Sequence, residues 1–159
     1  MTSREPVLHT EFTIEREIKT SPRHAFRFWS EPELKARWND CHTDWTVLDD
    51  RFDFRIGGSE HKRWRTPSGE DLTFTAYYLD IVPEQRIIYA YEMTFAGKRL
   101  SGSLVTVTFS PSRDGTRMVF TEQAAILAGG ADARQQRLVG TEETMDRLVD
   151  VVQLEKDIR

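Results

Sequence analysis

Glu122 is the carboxylate whose neighbours best equip it for chemistry. Met118, Phe120, Glu122 and Ala124 alternate along one strand-like run and therefore share a face. Met118 and Phe120 are large and apolar, so that face is expected to look inward and to carry Glu122 with it. On the preceding run Ser101, Ser103, Val105, Val107 and Phe109 share a face in the same way. A hairpin that sets Phe109 opposite Thr116 also sets Ser103 opposite Glu122. Glu60 shares a face with Trp64 on a third run. A carboxylate among apolar side chains loses hydration, and two such groups repel. Those are the conditions under which carboxylates serve as general acid and base. The plainer alternative leaves Glu60 and Glu122 at a rim, solvated or paired with Lys62, Arg63 or Arg99. One slip of register would turn either of them outward.

Tyrosines supply the second kind of group. Each has an apolar ring that buries while its hydroxyl bonds a ligand. Tyr89 and Tyr91 keep step with Ile87 and Met93 and are expected inside, and Tyr78 joins them as a candidate, with core packing as the competing role. Other chemistries find little support. His9, His24, His42 and His61 include no pair at metal-ligand spacing and no cysteine cluster, so neither a metal nor a cofactor is expected. No G-x-S-x-G elbow is present, and Cys41, beside His42, reads as an inert thiol. Gly57-Gly58 is followed by a strand rather than by a helix N-terminus that could receive a phosphate.

The elements that must position these groups follow from periodicity. Leu8 to Ile18 reads as a first strand. Ser21-Pro22 opens a helix carrying Ala25, Phe26, Phe28 and Trp29, and Ser30 with Glu33 marks a capping box for a second, carrying Leu34 and Trp38. Short runs then follow: Trp45–Leu48 and Phe52–Ile56 joined by a turn at Asp49-Asp50, Ser59–Arg65, Leu72–Val82, Arg86–Phe95, Leu100–Phe109 and Thr116–Ile126, the last two joined by a turn over Pro111–Gly115. From Asp132, read as an N-cap, to Leu154 a long helix presents Leu138, Thr141, Met145, Leu148 and Val152 as one stripe. Arg137 and Glu143 fall off that stripe in this reading, and Glu143 pairs with Arg147 four residues on. The expected fold is α+β, one domain over residues 1–159, with a curved antiparallel sheet gripping the last helix. Thr141 and Met145 thin the stripe, so the seam between helix and sheet is where a ligand would sit.

The order of motifs resembles a known family. Thr20-Ser21-Pro22 with Phe26, Phe28 and Trp29, then Glu31-Pro32-Glu33-Leu34 and Trp38, looks like the opening of the family named for the activator of the ninety-kilodalton heat-shock protein's ATPase. Asp53-x-Arg55-x-Gly57-Gly58, Pro83-x-x-Arg86-Ile87-Ile88 and Gly115-Thr116-Arg117 continue the pattern, which covers about residues 10 to 153. The wider superfamily holds START lipid-transfer domains and polyketide cyclases. The resemblance implies a helix-grip fold with an apolar cavity between sheet and helix, and points the Glu60 and Trp64 face inward. It implies no shared catalytic set. Family members commonly carry apolar residues two and four positions after the glycine pair, where this chain has Glu60 and Lys62, so its cavity is expected to be more polar. The candidate lining, beside Glu60 and Glu122, is Trp38, Phe54, Trp64, Tyr78, Tyr89, Tyr91, Ser103 and Phe120. Thr141, Met145 and Leu148 complete it from the helix.

Composition bounds the function. The formal charge is −4, and no apolar run reaches the roughly 18 residues of a membrane span. A nucleic-acid partner and a membrane span are therefore not expected. One cysteine suits a reducing cytoplasm, and the polar first residues lack the apolar core of a secretory leader. Three readings stay open: a carrier of a small hydrophobic molecule, an acid–base enzyme of the cyclase or hydratase type, and a co-chaperone-like interaction domain. Homodimerisation is open as well.

Overall fold

The alternating runs form seven antiparallel strands, β1 (Leu8–Ile18), β2 (Thr46–Phe52), β3 (Ser59–Arg65), β4 (Asp71–Val82), β5 (Arg86–Phe95), β6 (Lys98–Ser112) and β7 (Gly115–Ile126). This computed structural model describes residues 6–39 and 44–155, so Cys41 and His42 lie outside the described residues. The strands make one curved sheet in the order β1-β7-β6-β5-β4-β3-β2. Every neighbour in sequence is a neighbour in space except β1 and β2, which stand at opposite edges. Two short helices, α1 (Pro22–Ser30) and α2 (Pro32–Asn39), carry the chain from one edge to the other. A long helix, α3 (Gly130–Leu154), then packs against β1, α1 and α2. This is the α+β helix-grip architecture.

Aromatic packing holds the helices to the sheet. Ser21 caps α1 by accepting from the His24 amide at 3.2 Å, and Pro22 takes the first helical position, where its missing N–H costs nothing. Phe26 and Trp29 then meet Phe109 edge-on, at centroid distances of 5.5 and 6.5 Å. Trp38 lies tilted against Trp29 at 4.8 Å and donates its indole N–H to the Phe28 carbonyl, tying α2 to α1. In α3 only Met145, Leu148 and Val152 are buried, all in its C-terminal half. Leu138 and Thr141, nearer the N-terminus, are only half-buried. The helix therefore grips the core with one half and projects the other over the sheet. Among the described residues no helix is long and apolar enough to cross a membrane.

Several local expectations are corrected. Asp49-Asp50 is not a turn: β2 runs through it with a bulge after Val47, and the reversal falls at Asp53–Gly58. The acidic pair is tolerated within a strand because cations flank it, Arg51 at 3.1 Å from Asp49 and Lys62 at 3.4 Å from Asp50. The reversal needs glycine at 58, where an added Cβ would lie 2.2 Å from the Asp53 carbonyl oxygen. Asp132 does not cap α3. The cap is Gly129 in left-handed backbone at φ +90°, and Asp132 lies within the first turn, where its charge suits the helix dipole. Ser30 belongs to the end of α1, and α2 starts after Glu31. Arg147 does not pair with Glu143 but donates to the Trp38 carbonyl at 3.0 Å.

The β6–β7 register is also two residues from the expected one. Phe109 lies opposite Met118, and Ser103 opposite Ala124, because β6 runs through Pro111 to Ser112 and the turn is the tight Arg113-Asp114 pair. β5 reaches only as far as Thr108 on β6, so the missing N–H of Pro111 costs no bond to that strand. A shift of two preserves the face of every side chain.

Candidate functional site

The concave face carries Glu122 inward, as its alternation requires, and Glu122 is 1% exposed. Its carboxylate oxygen Oε2 accepts three bonds: from Tyr91 Oη at 2.7 Å, from Ser103 Oγ at 2.8 Å and from Arg137 Nη1 at 3.1 Å. Ser103 reaches it on the diagonal despite the register difference, since the residue directly opposite Glu122 is Val105. No described residue donates to the other oxygen, Oε1. Arg137 descends from the raised half of α3. It also donates to Ser101 Oγ at 2.6 Å and Tyr91 Oη at 3.1 Å, and touches Met93 Sδ at 3.7 Å. One guanidinium fork thus pins the helix to β5, β6 and β7. Burial works against the Arg137 charge, but Tyr91 and the Glu122 carboxylate outweigh it and hold the group above its ordinary range. Burial and then Glu122 push the Tyr91 hydroxyl far up, although Arg137 pulls it back.

Glu60 is buried on β3, 3% exposed, and forms a second cluster. Its Oε1 accepts from Lys35 of α2 and from Tyr78 Oη at 2.9 Å, and Lys35 sits 4.8 Å above the Phe52 ring. Tyr78 is pushed far up, first by burial and then by Glu60. Tyr89 stands between the clusters, its ring 5.9 Å from Tyr78 and 6.0 Å from Tyr91. Its hydroxyl, raised by burial and then by Tyr91 and Glu122, has no hydrogen-bond partner among the described residues. Trp29 keeps its indole N–H buried without an acceptor among the described residues.

A cavity of about 510 Å³ opens under the raised half of α3. Its sheet wall is Phe74, Tyr89, Tyr91, Met93, Phe120 and Glu122, and α1 and α2 add Trp29, Lys35 and Trp38. The α3 wall includes Arg137, Gly140, Thr141 and Met145. Of the candidate residues, Trp38, Tyr89, Tyr91, Phe120, Glu122, Thr141 and Met145 come together here. Ser103 is buried just behind Glu122. Phe54 packs instead on Phe26, Phe52 and Tyr78, and Leu148 lies in the core beneath the cavity. Glu60 lines a separate void of about 30 Å³, with Tyr78 bonded beside it. Trp64 is half-buried beneath the Lys62 ammonium, 5.5 Å away.

Arg137 and Lys35 escaped the reading of the chain, yet both carried a signal. Arg137 stands four residues before Thr141 and eight before Met145, a stripe position held by a charge. Lys35 stands three before Trp38, on the buried side of α2.

Among curated proteins none matches the chain. The structure of an uncharacterised protein from Rhizobium leguminosarum is 44% identical, covering 97% of this chain and 100% of that one at a TM-score of 0.89. A Rhizobium loti protein is 35% identical over 92% of this chain and 99% of its own, at 0.84. An AHSA1-like protein from Aeromonas hydrophila, 22% identical over 94% of this chain and 99% of its own, shares the fold at 0.67. Residues 19–153 match the family model described as Activator of Hsp90 ATPase homolog 1-like protein. The chain belongs to that family.

Proposed function

We propose that this chain binds a small, mostly apolar molecule between α3 and the sheet, in the reducing cytoplasm that a single cysteine suits. The observation that carries the reading is the cavity of about 510 Å³, walled by aromatic rings and methionines together with polar and charged side chains such as Lys35, Glu122 and Arg137. That size and composition are those of small-molecule sites, commonly about 300–1,000 Å³. The helix-grip family supports it, since its fold leaves such a space between sheet and helix.

Gly140 supplies the test. It lines the cavity, and a Cβ added there meets nothing within 4 Å. Gly140→Leu should fill the space while the fold stays intact, and removing a mid-helix glycine should stabilise the helix by about 0.5–1 kcal/mol. Native mass spectrometry of the purified wild type should show a co-purified small molecule that Gly140→Leu lacks. Equal retention of the same molecule by both chains would refute this cavity as the site.

A second reading, acid–base catalysis, is favoured by one observation. Glu122 lines the cavity with Oε1 unused, as a general base would. Glu122→Gln would lower turnover by about 10²–10⁴ if the site catalyses, and would change only affinity if it carries.

A further inference from the structure

Two groups on the cavity wall have hydrogen-bonding capacity that the protein leaves unspent. Glu122 is almost wholly buried, yet all three of its donors converge on Oε2, and Oε1 receives none among the described residues. The Tyr89 hydroxyl has no partner at all among them. Both residues line the same cavity. They also lie in one row across the sheet: Tyr89 is opposite Val105, and Val105 is opposite Glu122. Strands are spaced about 4.8 Å, so the two backbones stand about 10 Å apart with only a valine between them. The two side chains thus lie on one face of the sheet and line one cavity, one offering an acceptor and the other a hydroxyl. A carboxylate oxygen and a hydroxyl that line a cavity without a protein partner are groups for water or a ligand to serve.

The geometry points to a ligand hydroxyl in that cavity: an apolar molecule carrying an alcohol or phenol that donates to Glu122 Oε1 and accepts from Tyr89 Oη. This inference rests on the binding reading above and names the ligand's chemical class. Other head groups fit less well. A carboxylate would face the Glu122 charge, with Arg137 already committed to that residue, to Tyr91 and to Ser101. An ammonium would gain Glu122 but sit beside the Arg137 cation. A ketone or ether accepts from Tyr89 but leaves Oε1 unserved. Burial keeps the Tyr89 hydroxyl protonated, so it remains able to donate.

Three probes of nearly one shape test the idea: 2-naphthol, 2-methoxynaphthalene and naphthalene, titrated into the chain freed of co-purified ligand and followed by ligand-observed NMR. The expected result is 2-naphthol binding about tenfold or more tighter than the other two, the effect of a hydrogen bond to a charged group. Tyr89→Phe removes a hydroxyl that no described residue uses, so the protein should fold with an unchanged melting curve. In that variant the advantage of 2-naphthol should shrink at least threefold while naphthalene binds as before. Naphthalene binding as tightly as 2-naphthol to the wild type would overturn the hydroxyl inference and leave the apolar cavity standing. A Tyr89→Phe chain that keeps the full preference would also overturn it. Failure of all three probes to bind would overturn both readings together.

Discussion

The chain buries two carboxylates in the same way and uses them differently. Glu60 and Glu122 each project from a strand, each accepts a tyrosine hydroxyl, and each is met by a cation lowered from a helix. Lys35 brings a compact ammonium from α2 and spends it on Glu60, Tyr78 and the Phe52 ring. Arg137 brings a planar fork from α3 and spreads it over Glu122, Tyr91, Ser101, Ser103 and Met93. Behind Glu60 lies a void of about 30 Å³, whereas Glu122 opens on about 510 Å³. The first cluster is a strut between α2 and β3, from which Lys35 but not Glu60 or Tyr78 lines the large cavity. The second holds a helix over a space and leaves Glu122 Oε1 without a donor among the described residues. Burial of a carboxylate therefore says little about function; what distinguishes these two is the room beside them.

The largest expected effect comes from breaking the open cluster. Arg137→Met strands a buried carboxylate and unpins the raised half of α3. We expect a loss of about 3–5 kcal/mol in chemical denaturation, with amide exchange accelerated through the N-terminal half of α3 but not around Leu148. Adding Glu122→Leu should recover most of that loss, because no unpaired charge then remains. A double variant no more stable than the single one would deny that the pair acts as a unit.

Lys35→Met tests the Glu60 cluster and should cost less, about 1–3 kcal/mol. Glu60 keeps its Tyr78 bond, and Lys62 lines the same small void. A cost as large as that of Arg137→Met would erase the distinction between the clusters.

Residue by residue, the smallest effect is alkaline. Tyr78, Tyr89 and Tyr91 all hold their protons more tightly in the folded chain than a free tyrosine does, in each case chiefly through burial. Their contribution is intact below the unfolded value of about 10 and is lost as the pH climbs above it. Stability should fall by up to about 1.4 kcal/mol per pH unit for each tyrosine in that range. Tyr78→Phe and Tyr91→Phe should flatten the slope by one proton each, one variant per cluster. Denaturation midpoints at pH 9, 10 and 11 would show it, and a flat wild-type profile would count against burial of these hydroxyls.

What the sequence by itself determined is the faces. Period-two alternation put Glu122 with Met118 and Phe120, and Tyr89 and Tyr91 with Ile87, and the sheet keeps those groupings because a pleated strand has only two sides. The same alternation cannot say how far one strand slides along another by an even step. Only the tight turn at Arg113-Asp114 decided that Ser103 meets Glu122 on the diagonal. Helical periodicity determined that Met145, Leu148 and Val152 lie against the core. It could not decide that the helix parts from the sheet above Thr141, because that depends on the curvature of the sheet. Nor could it decide where two long cationic side chains would end. Arg137 and Lys35 stand on inward positions that a composition-based reading gives to solvent. They turn inward because a buried carboxylate on the sheet waits opposite each. Partners of that kind come from distant parts of the chain, so only the tertiary structure could bring them together.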